Sequence, residues 1–169
     1  MTRLDIHSRL GVDVGRVLMC ASTDGQEPDT SFLSATDDVA LEIPPEPHAF
    51  DVIREAFEIT EGHVHVVSKC GPRIEQLTRR WLAHHRFAET TGVPIDQLHF
   101  VRKRPEKAGV AQRLGLTHFI DDRLDVLHPM SGLVPDLVWF GGTRDDAPEG
   151  IVAARDWSAV RALLIGASG

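Results

Sequence analysis

Arg9-Leu-Gly-Val-Asp-Val-Gly-Arg-Val-Leu18 is an apolar run that delivers one carboxylate, Asp13, and then meets a glycine at Gly15. A buried strand that ends in Asp and then Gly presents its carboxylate at the C-terminal edge of a sheet, where open α/β sheets take their ligands. Asp13 is therefore the leading nucleophile candidate, although most strand-end aspartates only form a turn. Three later stations add weight. Val64-His-Val-Val-Ser68 and Thr117-His-Phe-Ile-Asp-Asp122 are also apolar runs that end in polar residues, and Lys107 is a lone lysine ahead of the second of them.

Between these stations the pattern alternates. Ser22 to Pro47 contains Asp-Gly, Glu-Pro and Pro-Pro-Glu-Pro and reads as a long loop over about residues 20–47, with a short hairpin suggested around Ser31 to Leu33 and Val39 to Ile43. Phe50, Ile53 and Phe57 recur on a helical repeat from His48 to Thr60, after a proline that suits a helix start. His63 to Ser68 is a β-branched strand. Pro72 opens a long helix to Thr90 whose apolar stripe is Ile74, Leu77, Trp81 and Leu82, and Gly92-Val-Pro94 ends it. Gln97 to Val101 is a strand, Pro105 to Leu114 a helix closed by Gly115, Thr117 to Ile120 a strand and Arg123 to Met130 a short helix. Leu137 to Phe140 is the last strand, broken by Gly141-Gly142, and Asp156 to Ile165 the last helix. Such alternation predicts an α/β fold in one domain over residues 1–169, a Rossmann-like three-layer sandwich around a mainly parallel five-stranded sheet.

In their order, Asp13, Ser68, Lys107 and Asp121-Asp122 resemble the four motifs of the haloacid dehalogenase-like superfamily, most of whose members are magnesium-dependent phosphohydrolases. The resemblance runs from about Leu10 to Phe140, and its most specific part is Phe119-Ile-Asp-Asp-Arg123 with a lysine upstream. It implies a phosphohydrolase or phosphotransferase that works through an aspartyl-phosphate on Asp13, with catalytic parts for Ser68 and Lys107. It also implies Mg2+ held by Asp13, the Gly15 carbonyl and Asp121, supported by Asp122, and a small flap after the first strand. The residue chemistry is compatible. Magnesium takes hard oxygen ligands, and one or two carboxylates plus a substrate phosphate suffice. Adjacent carboxylates repel and need a cation, unless one of the pair caps the helix at Arg123. Ser68 and the amides near Lys69 to Gly71 can donate to phosphoryl oxygens, and Lys107 supplies a compact positive charge. Arg102-Lys-Arg104 follows a strand at the same edge, so Lys69, Arg102 and Arg104 join Ser68 and Lys107 as substrate-binding candidates; the alternative is a solvated basic turn.

One position departs from the pattern. Phosphatases of that superfamily usually carry Asp-x-Asp in the first motif, whereas here the second acid is Gly15, followed by Arg16 where glycine is common. The missing acid implies a slow enzyme that favours good leaving groups, unless Asp24 or Asp29 of the loop takes its part. The alternative is a catalytically impaired phosphate-ligand binding or regulatory domain of the same fold. A receiver-type phosphoacceptor fits less well, because receivers place the acid pair before the acceptor Asp. Nothing resembles a large cap, which leaves an open site for a phosphorylated small molecule, or one closed by a partner subunit in a homo-oligomer.

Composition sets outer bounds. With 42% hydrophobic and 25% charged residues, the 169-residue chain suits one domain with a sizeable core. A net charge of -7 argues against nucleic-acid and membrane-surface binding, which need a basic excess. Charge is unevenly spread: Ala21 to Pro47 holds seven acids and no Lys or Arg, while Lys69 to Lys107 is rich in basic residues. Two cysteines form no disulfide framework, and no apolar run has signal-peptide or membrane-spanning length, so a cytoplasmic protein is expected. His63-x-His65 and His84-His85 make no zinc set without further ligands, and Trp81, Trp139 and Trp157 read as core or half-buried anchors. No Gly-x-Gly-x-x-Gly or Walker lysine motif supports nucleotide binding.

Overall fold

Six parallel strands form the sheet of the computed structural model, which describes residues 1–20 and 36–166. They are β1 (Leu10–Val12), β2 (Val64–Lys69), β3 (Leu98–Val101), β4 (His118–Asp121), β5 (Asp136–Phe140) and β6 (Ile151–Ala154). Their order across the sheet is β3-β2-β1-β4-β5-β6, so the chain winds one way from β1 to β3 and the other way from β4 to β6. The switch lies between β1 and β4, where Val12 pairs with Ile120. Doubly wound sheets bind ligands at the carboxyl ends of strands at such a switch.

The described helices are α1 (Asp37–Leu41), α2 (Ala49–Ile59), α3 (Pro72–His84), α4 (Phe87–Thr91), α5 (Glu106–Leu114), α6 (Leu124–Leu127) and α7 (Trp157–Leu164). Period-2 alternation divides the strand side chains between two cores. Leu10, Val12, Val64, Val66 and Ile120 pack with Ile53 of α2, Trp81 of α3 and Trp157 of α7. Val67, Phe119 and Leu137 pack on the opposite face with Val110 and Ala111 of α5, and with Leu127 of α6 and Met130 beyond it. The result is the expected three-layer α/β sandwich. Its central strand requires Gly11: a Cβ there would stand 2.5 Å from both Leu116 Cδ1 and Phe119 Cδ2.

Three expectations change. The sheet has a sixth strand, β6, because Ile-Val-Ala-Ala pairs along β5 from Leu137↔Ile151 to Phe140↔Ala154; two alanines and a preceding turn hide it in the sequence. The long helix from Pro72 divides at Arg86, which adopts a left-handed φ of 55°. That turn swings Phe87 inward, where its ring meets Phe50 edge-on at 5.1 Å between centroids. Val39 to Ile43 is not a hairpin strand, because α1 covers most of it; Ser31 to Leu33, Asp24 and Asp29 lie outside the described residues. The described end of that segment is tied to its surroundings. The Glu46 amide donates to the Leu18 carbonyl at 2.8 Å, the Cys20 amide to Pro44 at 3.0 Å, and the Trp81 indole to Ile43 at 2.7 Å.

Candidate active site

β1 stops at Val12, yet the Asp13 amide still donates to the Ile120 carbonyl of β4 at 3.0 Å. The ladder thus runs one residue past the strand and fixes the Asp13 carboxylate at the sheet edge, where only 7% of the residue is exposed. β4 delivers Asp121 beside it, fully buried. Asp13, Asp121 and Asp122 each bring a carboxylate oxygen to within 4.8 Å of the others.

Lys107 joins the first two. Its Nζ lies 2.8 Å from Asp13 Oδ1 and 2.7 Å from Asp121 Oδ2, with the side chain only 3% exposed. Local sequence explains how a first-turn lysine of α5 reaches this position. The neighbouring Glu106 carboxylate turns back to accept the amides of Arg102 and Lys103 at 2.9 and 3.2 Å, which caps the turn and leaves Lys107 pointing under the sheet edge. The second oxygen of Asp121 accepts the Arg123 amide at 3.0 Å, a short-range turn that leads into α6. Asp122 faces Arg16, whose Nη1 is 3.6 Å from its Oδ2.

The electrostatics leave the cluster short of positive charge. Burial, then the charge of Asp13, raises the Asp121 carboxyl to about 8 despite Lys107. Burial and Asp13 also raise Asp122, to about 6, with Arg16 opposing. Burial alone would lower the Lys107 ammonium, but the two carboxylates outweigh it and hold its pKa above the usual lysine value. Fully ionised, the three carboxylates face Lys107 and Arg16 among the described residues, while Arg123, whose charge also reaches Asp122, is shared with Asp125 at 2.9 Å. A divalent ion on the carboxylates would turn that deficit into a net positive site for a phosphoryl group, and oxygen-rich sites of this kind suit magnesium.

Of the residues expected from sequence, Asp13, Lys107, Asp121 and Asp122 come together. Ser68 is buried at the same sheet edge, at the end of β2. Gly15 lies two residues beyond Asp13, where it makes an isolated bridge to Met19, and a Cβ placed there would meet nothing within 4 Å. The basic residues stand further out. Lys69 is exposed, and Arg104 Nε is 3.9 Å from Asp125. Arg102 donates to the Cys70 carbonyl at 2.7 Å and pairs with Glu75 at 2.7 Å, so it clasps the turn between β2 and α3.

Two positioning residues escape sequence reading. The Trp139 indole donates to the Asp122 carbonyl at 3.1 Å and the Trp157 indole to the Val17 carbonyl at 2.6 Å, holding the two loops that carry the acids. Only the general rule that a buried indole N–H finds a partner hinted at this. Glu106 had a clearer signal, its spacing of three and four residues from the amides it caps.

No family model and no curated protein matches the chain by sequence. Comparison of structures gives a different result. A haloacid dehalogenase-like family hydrolase from Xanthomonas campestris superposes with a TM-score of 0.62 at 11% identity, covering 95% of this chain and 96% of that one. A hydrolase of the same superfamily from Ehrlichia chaffeensis superposes with a TM-score of 0.60 at 10% identity, covering 95% and 97%. With its doubly wound parallel sheet and near-complete overlap with both structures, the chain has the haloacid dehalogenase-like fold.

Proposed function

We propose that the protein is a magnesium-dependent phosphohydrolase or phosphotransferase whose nucleophile is Asp13. One observation carries this reading: a buried lysine bridges two buried carboxylates at 2.7 and 2.8 Å at the switch point of the sheet, beside a third carboxylate. Burying this much charge against water is costly, and titratable groups perturbed by burial together with a specific charge partner cluster at functional sites. The fold shared with two hydrolases points the same way.

Asp13, Asp121, Asp122 and the Gly15 carbonyl would hold Mg2+, which supplies charge neutralisation at the phosphoryl oxygens when bound. Asp13 is placed to attack phosphorus, and Lys107 holds that carboxylate in one rotamer while offering its ammonium to the phosphoryl group. Ser68 and the amides after it donate to the same group. Positioning and electrostatics of this kind carry most of phosphoryl-transfer catalysis. The substrate is a phosphorylated small molecule. The test is phosphate release with Mg2+ across sugar, nucleotide and acyl phosphates, with Asp13→Asn alongside. Release that requires both Mg2+ and Asp13 supports the reading; activity retained by Asp13→Asn, or phosphate ligands bound without turnover, counts against it.

A further inference from the structure

Arg16 is held in a conformation that its residue type disfavours. Its φ of 59° lies in the left-handed region, where a Cβ crowds the backbone and glycine is the ordinary occupant. Residues other than glycine persist there when their surroundings fix them, and such outliers cluster at functional sites. The guanidinium is only partly engaged. Its Nη1 stands 3.6 Å from Asp122, beyond a normal hydrogen bond, and among the described residues its Nε is buried without a hydrogen-bond partner. Gly15 beside it opens space, since its φ is ordinary and a Cβ there would touch nothing. The loop that carries Asp13 therefore presents an open position and, next to it, a cation with donors to spare.

Resting on the reading of Asp13 as a phosphoryl acceptor, we propose that Arg16 receives the leaving oxygen, and that the substrates are phosphates whose leaving group departs as an anion, namely acyl phosphates and phosphoanhydrides. In the first step an Asp13 oxygen bonds to phosphorus and the bond from phosphorus to the leaving oxygen breaks. The electron pair stays on that oxygen, which leaves as a carboxylate or a phosphate beside the guanidinium, and no proton moves. In the second step water adds to the aspartyl-phosphate, returning the Asp13 carboxylate and releasing dihydrogen phosphate, which keeps both protons of the water. An arginine suits the first step because it stays charged and cannot donate its proton. Alkyl esters require that proton, and a positioned acid contributes about 10² to 10⁴ in rate. They are therefore poor substrates for this site.

The test measures kcat/KM with Mg2+ on acetyl phosphate, a series of aryl phosphates of graded leaving-group acidity, and ethyl phosphate. Wild type is compared with Arg16→Gly, Arg16→Lys and Gly15→Asp. Wild-type rates should fall steeply as the leaving group becomes more basic. Arg16→Gly should lose about 10²-fold or more on acetyl phosphate, steepen the aryl series and melt no lower than wild type, because glycine suits the backbone. Arg16→Lys should recover part of the loss, and Gly15→Asp should accelerate ethyl phosphate. The inference is overturned, and the Asp13 reading kept, if Asp13-dependent turnover of acetyl phosphate survives Arg16→Gly within about threefold, far short of the usual loss, or if wild type cleaves ethyl phosphate as fast as acetyl phosphate. Absence of both turnover and phospho-Asp13 by mass spectrometry with every substrate removes both.

Discussion

Lys107 is where the energetics of the fold and the chemistry of the site meet. In a buried cluster of acids it stabilises the folded chain only while its partners remain ionised near it, and removing one member of such a set strands the others. Lys107→Met should destabilise the metal-free protein by about 3 to 5 kcal/mol, as measured by urea unfolding. Mg2+ should recover part of that loss because it neutralises the same carboxylates, while kcat falls by at least about 10²-fold. An identical loss of stability with and without Mg2+ would reduce the lysine to a packing role. Asp13, Lys107 and Asp121 were legible in the sequence because each is a polar residue set against a strongly apolar or helical pattern, and their order adds information. Arg102 was read less well. Its charge pointed to the ligand, but its partners Glu75 and the Cys70 carbonyl come from another part of the chain and are fixed only by tertiary packing.

The strand β1 is the element on which the site depends, and it is only three residues long. Its middle residue, Gly11, lets Leu116 and Phe119 close over the sheet from the α5 side. Gly11→Ala should cost about 1 to 3 kcal/mol through overpacking, visible as a lower urea midpoint with an unchanged slope. A neutral result would mean that the turn after α5 can retreat without penalty. The helices and strands around β1 were legible because hydrophobic period and Gly or Pro punctuation agree there. Agreement failed in two places. The apolar stripe of α3 continues in sequence past Arg86, so nothing local announces the turn that brings Phe87 against Phe50. In β6 the two alanines carry little strand signal, and only pairing with β5 on an existing sheet makes that segment extended.

Across the molecule, pH acts through more than the acid cluster. At the other end of the sheet His65 is buried on β2, with its Nδ1 3.2 Å from His99 Nε2. Burial first, then the neighbouring His99 and Arg9, lower the His65 imidazole from 6.5 to about 4. The unfolded chain therefore binds a proton near pH 6.5 that the folded chain refuses until about pH 4. Stability from this group is complete above the first value and declines as pH falls toward the second, by at most about 1.4 kcal/mol per pH unit. Asp121 and Asp122, raised in the fold, act in the opposite sense, since their neutral forms favour folding as pH falls through about 8 and 6. The comparison that isolates the histidine is wild type against His65→Phe. Wild type should lose stability relative to the variant between pH 6.5 and 4, and parallel curves would refute the assignment. Among the described residues no helix is long and apolar enough to cross a membrane. The indole that holds the Asp122 carbonyl has an optical consequence. The chain contains three tryptophans and no tyrosine, and Trp81 and Trp157 are shut inside the core, whereas half-buried Trp139 is bonded to the backbone of a candidate metal ligand. Ultraviolet emission should therefore serve as a built-in reporter: a Mg2+ titration should produce a saturable fluorescence change, which Trp139→Phe removes and any remaining signal would trace to the two buried rings.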